Sequence, residues 1–182
     1  AADPLGLLSG IRDAWRAIFM PAGTVLAIGT VPLRSQESGS SSRQPDFDRM
    51  LQQQAETDKA WRAASAGFMQ MEKITYRSRA GDLDIPAFVF EPLKLRGAKS
   101  HPALVWVHEN IRGHLYEHYI PYIREATARG YIVIAPEYRG SIGYGKNFFD
   151  AIDYGGAEVD DVVTAVEILK SKYAAVDPAR IG

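Results

Sequence analysis

The chain has 182 residues, 46% hydrophobic and 24% charged, with a formal net charge of -1, the balance of a globular domain rather than of a disordered segment. No basic excess marks a nucleic-acid partner, and the lack of cysteine excludes a disulfide framework and a thiolate metal site. The four histidines, His101, His108, His114 and His118, cluster without an HExxH spacing, so they read as core or surface side chains and no metal site is assigned.

In chain order, Ala17 to Leu33 carries no charged residue and follows Arg12 and Arg16, the order of the basic and apolar regions of an export signal. Residues 1–34 are therefore expected to be a signal peptide or short anchor, with membrane contact through residues 17–33 and an exported (periplasmic or extracellular) or anchored location. The alternative is an apolar arm on a cytoplasmic domain. Pro21, Gly23, Gly29 and Pro32 weaken the run as a spanning helix, which needs roughly 20 apolar residues. The chain starts at alanine, which fits initiator removal, processing or truncation alike. Residues 35–45 are serine-rich and polar without a period, and are expected to be a linker. Residues 46–70 are expected to form a helical lead-in, capped by Asp46, with Met50, Leu51, Ala55, Trp61, Ala64 and Phe68 at loose helical spacing.

From Met71 the period changes to two. Glu72 to Arg77, a turn at Ala80-Gly81-Asp82, and Leu83 to Glu91 with Ile85, Ala87 and Val89 on one side predict a β-hairpin. After a polar connector, Ala103 to Val107 and Tyr131 to Ala135 are continuous apolar runs, as parallel strands covered on both faces require. Tyr119 to Arg129 between them predicts a helix closed by Gly130. Val159, Val162, Val163, Val166 and Leu169 form an apolar stripe on a helix from Glu158 to about Lys172, with acids early and lysines late. Asp177 to Gly182 begins a third parallel strand, expected to lack room to pair.

Gly140 to Asn147 meets GxxxxGK but lacks the final Ser or Thr that would hold magnesium, and four residues separate it from the preceding strand. A glycine-bent surface loop is therefore preferred to a phosphate loop. Glu158, Asp160 and Asp161 are expected to cap a helix and complement its dipole, one of them pairing with Arg180. Ser141 reads as a turn serine and His108 as a structural histidine at a strand end.

The series Tyr138-Arg139-Gly140-Ser141-x-Gly143-Tyr144-Gly145, then Phe148, Gly156, Glu158, Asp160-Asp161-Val162 and Asp177-Pro178-x-Arg180-Ile181-Gly182, resembles the catalytic domain of prolyl oligopeptidase-type serine peptidases and the related dienelactone hydrolases. The resemblance covers residues 71–182. It implies an α/β fold: an α/β-hydrolase, incomplete here, with an N-terminal hairpin, the first parallel strands and flanking helices, preceded by an apolar segment and a linker. It implies a serine hydrolase that cleaves amide or ester bonds of a peptide or small molecule through an acyl-enzyme, without a cofactor. The nucleophile, acid and base are expected after Gly182, so no catalytic residue is assigned in this chain and the chain alone is expected to be inactive. The loop after the first parallel strand would give a backbone NH to an oxyanion hole, with Glu109 and Asn110 as candidates and Tyr138 and Arg139 at the edge of the active site. His108-Glu109-Asn110 stands where many such peptidases carry His-Gly-Gly and is closer to the dienelactone hydrolases, where the glutamate influences the nucleophile. A loop carboxylate paired with Arg112 or Arg139 is the alternative for Glu109. A lactone or ester hydrolase and a non-catalytic binding domain of the same fold remain the rivals.

Overall fold

The computed structural model describes residues 45–81 and 83–182. The expected signal or anchor, the run 17–33, nearly all of the linker and Asp82 of the hairpin turn lie outside the described residues. Among those described, no helix is long and apolar enough to cross a membrane.

Helix α1 spans Phe47–Ser65, and the Asp46 carboxylate accepts from the Arg49 N–H at 3.0 Å as its cap. It ends five residues before the expected limit, because Ala66 to Phe68 turn the chain into a strand at Met69. Of the apolar set read from the sequence, only Trp61 is on its fully buried side. Gln54, Thr57, Trp61 and Ser65 face inward, whereas Leu51 and Phe68 are exposed. Each inward polar group has a partner: Thr57 donates to Glu117 at 2.8 Å, Trp61 Nε1 to the Leu115 carbonyl at 2.9 Å and Ser65 to the Trp61 carbonyl at 2.8 Å. Satisfied in this way, polar side chains can occupy an interior position that spacing alone gives to apolar ones.

Strands β1 (Met69–Arg77) and β2 (Asp84–Pro92) form the expected hairpin, in register from Met69 opposite Pro92 to Arg77 opposite Asp84. β2 also pairs antiparallel with β4 (Ile132–Pro136), and β3 (His101–Val105) runs parallel to β4. An interior position with both faces covered explains why Ile85, Ala87, Phe88, Val89 and Phe90 are all buried, although only one side of the strand reads as core in the sequence. Helix α2 (Ile120–Ala128), entered through a 3-10 turn at Glu117–Tyr119, crosses from β3 to β4. Beyond β4 come the short helix α3 (Lys146–Asp150), helix α4 (Ala157–Lys172) and β5 (Val176–Ile181).

The sheet order is β1-β2-β4-β3-β5. Contrary to expectation, β5 is paired. It lies parallel to β3, with Val105 N–H donating to the Gly182 carbonyl at 2.8 Å and Gly182 N–H to the Ala103 carbonyl at 3.0 Å. Before these contacts, between His101 opposite Val176 and Ala103 opposite Ile181, the ladder is irregular, since Pro178 has no N–H and Asp177 turns back to accept from Ala179 and Arg180. One core layer joins Ile85, Ala87, Val89, Ile132 and Ile134 to Ala165 and Leu169 of α4. The opposite layer joins Phe88, Phe90 and Val133 to Trp61 of α1 and Ile123 of α2.

Helix α4 also departs from its stripe. Glu158, Asp161, Thr164, Ala165 and Leu169 are its buried residues, and Val159, Val162, Val163 and Val166 are half-buried. Polar anchors turn the helix: Tyr76 donates to the Asp161 carbonyl at 2.7 Å, and Thr164 accepts the Arg79 N–H at 3.0 Å. At its N-terminus the Asp153 carboxylate accepts the Ala157 N–H at 2.8 Å and Glu158 accepts the Gly155 N–H, while Glu158 and Asp160 stand in the first turn, where acids complement the dipole. Asp160 pairs with Arg79 at 2.8 Å, and Arg180 pairs with Asp177 at 2.6 Å, not with a residue of α4.

Candidate active site

The carboxyl ends of β3 and β4 carry two chemically loaded segments, residues 106–116 and 137–145. At the first, Asn110 has a left-handed φ of 66°, and its side-chain oxygen accepts the Arg112 N–H at 3.1 Å. The Asn110 carbonyl accepts the Gly113 N–H at 2.8 Å. A Cβ on Gly113 would stand 2.5 Å from the Glu109 carbonyl oxygen, so only glycine lets the loop fold back this tightly.

His108 is 2% exposed, and its ring stacks on Tyr138 with centroids 4.4 Å apart. Its Nε2 lies 3.0 Å from Ser141 Oγ. The Ser141 hydroxyl also lies 2.6 Å from the Tyr138 carbonyl, and His108 Nδ1 lies 3.2 Å from the Glu109 carbonyl. Burial pushes His108 down to about 4, and the ring is neutral at neutral pH. Ser141 is 0% exposed. The contact therefore lacks the access of a nucleophile and base, in keeping with a turn serine and a structural histidine.

The Tyr138 hydroxyl reaches back to the carbonyls of His108 and Asn110, at 3.2 and 3.3 Å. The Glu109 N–H donates to the Tyr119 hydroxyl at 3.3 Å, and the Glu109 carboxylate stands exposed, 3.4 Å from His118. Neither expected arginine takes that carboxylate. Arg112 donates to the Phe149 carbonyl and lies over the Phe149 ring, and Arg139 pairs with Asp161. The structure thus brings Glu109, Asn110 and Tyr138 together and turns Arg139 away into the protein, where it is 3% exposed. There its Nε and Nη2 donate to the two Asp161 oxygens at 2.9 and 3.0 Å, and its backbone N–H adds a third bond at 3.0 Å.

Sequence reasoning missed Glu137. It is 0% exposed, accepts the Leu115 N–H at 2.8 Å, and holds its second oxygen 4.0 Å from His108 Nε2. Burial pushes its carboxyl up to about 8, so it is mainly a neutral acid at neutral pH. The available signal was a carboxylate directly after the apolar run Ile132 to Pro136.

The glycine segment is explained by close approach and not by phosphate. A Cβ on Gly143 would stand 2.5 Å from that of Gln54, so the segment packs directly on α1. Lys146 pairs with Asp150, one turn on in α3. His114 is buried against Gln54 at 3.0 Å, and His101 bonds the Gly130 carbonyl and the Arg96 N–H. Among the described residues no group of three His, Cys, Asp or Glu side chains is placed to hold a metal ion.

Residues 118–182 match the model of the prolyl oligopeptidase family. The peptidase YuxL of Bacillus subtilis is 32% identical over 116 residues, 61% of this chain and 17% of its own length. In fold, a puromycin-hydrolyzing peptidase of Mycobacterium tuberculosis matches with a TM-score of 0.55 at 25% identity, over 62% of this chain and 18% of that one. Pyrococcus horikoshii acylaminoacyl peptidase matches with a TM-score of 0.55 at 19% identity, over 68% of this chain and 20% of that one. The chain thus spans no more than a fifth of these relatives. Strand order and these matches agree on the strands of an α/β-hydrolase, and the similarity to the prolyl oligopeptidase family lies in residues 118–182, which include the glycine segment.

Proposed function

We propose that this chain supplies the sheet and the oxyanion-hole loop of a serine-type peptidase that cleaves amide bonds through an acyl-enzyme. One observation carries the reading. The Val105 to Gly182 hydrogen bond sets the carboxyl end of β5 beside that of β3, from which the Glu109–Asn110 peptide emerges into solvent. In α/β-hydrolases the nucleophile turn follows the strand in β5's position, and a backbone N–H of the loop after β3 stabilises the negative charge on the carbonyl oxygen. No serine of the 182 residues stands in a G-x-S-x-G frame, so the nucleophile is assigned outside them. The names of the relatives, peptidases in each case, support an amide substrate.

The test is fluorophosphonate labelling and aminoacyl p-nitroanilide hydrolysis, measured on a longer polypeptide containing this chain and on the 182 residues alone. The longer protein should label at a serine outside these residues and turn over the anilide, and the shorter should do neither. Labelling at Ser141, or hydrolysis by the 182 residues free of contaminating hydrolase, overturns the reading.

The exposed Glu109 favours a second reading, a lactone or ester hydrolase, because a carboxylate beside a nucleophile would tune its protonation. Hydrolysis of esters but not anilides, with a pH profile shifted by Glu109→Gln, would select it.

A further inference from the structure

The end of the sheet opposite the candidate active site has a different surface chemistry. The hairpin ladder stops at Met69 opposite Pro92, so Phe68 and Leu93 leave it side by side. Phe68, Leu93 and Leu95 are 59%, 48% and 44% exposed. Residues 93–99 read Leu-Lys-Leu-Arg-Gly-Ala-Lys, and every one of them is exposed. Of the acids near this surface, Asp177 holds Arg180 at 2.6 Å and Glu125 holds Arg129 at 2.7 Å, while Glu91, at the end of β2, is partly buried beside Glu72 and His101 and its carboxyl is raised by burial. A fourth cation, Arg124, lies over the Phe68 ring at 3.3 Å. Because β3 runs from His101 next to this surface to Val105 at the candidate active site, contact here would leave the latter open.

We propose that this surface docks on an anionic phospholipid membrane, with Phe68, Leu93 and Leu95 entering the headgroup layer and Lys94, Arg96 and Lys99 facing the lipid charges. Interleaved cations and large apolar side chains are the pattern of interfacial membrane contact. A protein partner fits less well, since lysine is depleted at protein interfaces and these apolar groups are separated by charge rather than merged into one patch. The proposal does not depend on the peptidase reading or on the apolar run 17–33.

The test is flotation of the 182-residue chain with vesicles of phosphatidylcholine alone or mixed with phosphatidylserine. The chain should float more with the mixed vesicles than with the neutral ones, any binding through residues 17–33 being common to both, and that excess should vanish at high salt as screening sets in. Lys94→Glu with Lys99→Glu should lower the bound fraction about tenfold or more. Leu93→Ser with Leu95→Ser should lower it at unchanged charge, with the circular dichroism of the parent retained, because these side chains are exposed. Equal flotation on neutral vesicles, binding indifferent to both double variants, or no flotation on either vesicle overturns the proposal.

Discussion

Glu137 and Arg139 lie two residues apart after β4, both buried, and they meet burial in opposite ways. Arg139 is saturated: two guanidinium bonds and a backbone bond converge on Asp161, itself 0% exposed. Glu137 has one bond, to the Leu115 N–H, no partner for its second oxygen, and a carboxyl raised to about 8. The difference shows that a buried charge is tolerated when its partner's geometry matches, and that otherwise the group gives up its charge. The paired centre locks α4 to the sheet, and the neutral one sits beneath the loop that carries Glu109 and Asn110.

Breaking the paired centre should have the largest effect. Asp161→Ala removes the carboxylate on which three Arg139 bonds converge, and urea unfolding should show a loss of about 3–5 kcal/mol. A double change to Arg139→Met with Asp161→Leu should recover most of it. If the single variant lost under about 1 kcal/mol, the contrast with Glu137 would fail.

The neutral centre should announce itself through pH. Folded Glu137 keeps its proton to about 8, whereas the unfolded group releases it near 4.5, so the stability it confers falls as pH rises through that interval. His108, lowered to about 4 from 6.5, acts in the opposite sense, and His114 is lowered by burial as well. Both histidine effects end near 6.5. Between about pH 6.5 and 8 unfolding free energy should therefore decline by up to about 1.4 kcal/mol per pH unit. Glu137→Gln, which copies the neutral acid, should remove that slope and keep the stability seen near pH 6. An unchanged slope in the variant would show that Glu137 is not its source.

Tyr138→Phe sharpens the comparison at the residue between the two centres. It removes the hydroxyl shared by the His108 and Asn110 carbonyls and should cost about 1 kcal/mol. Hydrogen exchange should quicken at residues 108–113 while α4 is unaffected. The smallest effect belongs to Arg79→Ala, which breaks the partly exposed pair with Asp160. Its cost of under about 1 kcal/mol, measured in the same unfolding assay, sets the scale for a solvated pair against the Arg139 pair.

The hairpin, the parallel strands and helices α2 and α4 were legible because their signals are local: alternation at Glu72 to Glu91, apolar runs at residues 103–107 and 131–135, and the glycine after α2. Boundaries shifted by a few residues. The loop holding Glu109 and Asn110 was legible through its motif, and the partners of its side chains were not. Glu109 meets His118, and the acid that lies 4.0 Å from His108 Nε2 is Glu137, which no motif marks.

By itself the sequence determined the succession of elements and the covered character of the central strands, because period and composition act over a few residues. Only the tertiary structure decided which faces of α1 and α4 turn inward, and that β5 pairs with β3. Gln54 finds His114 60 residues away, Tyr76 finds the Asp161 carbonyl 85 residues away, and Arg139 finds Asp161 22 residues away. A polar residue's place inside depends on whether such a distant partner arrives, and spacing along one helix carries no record of it.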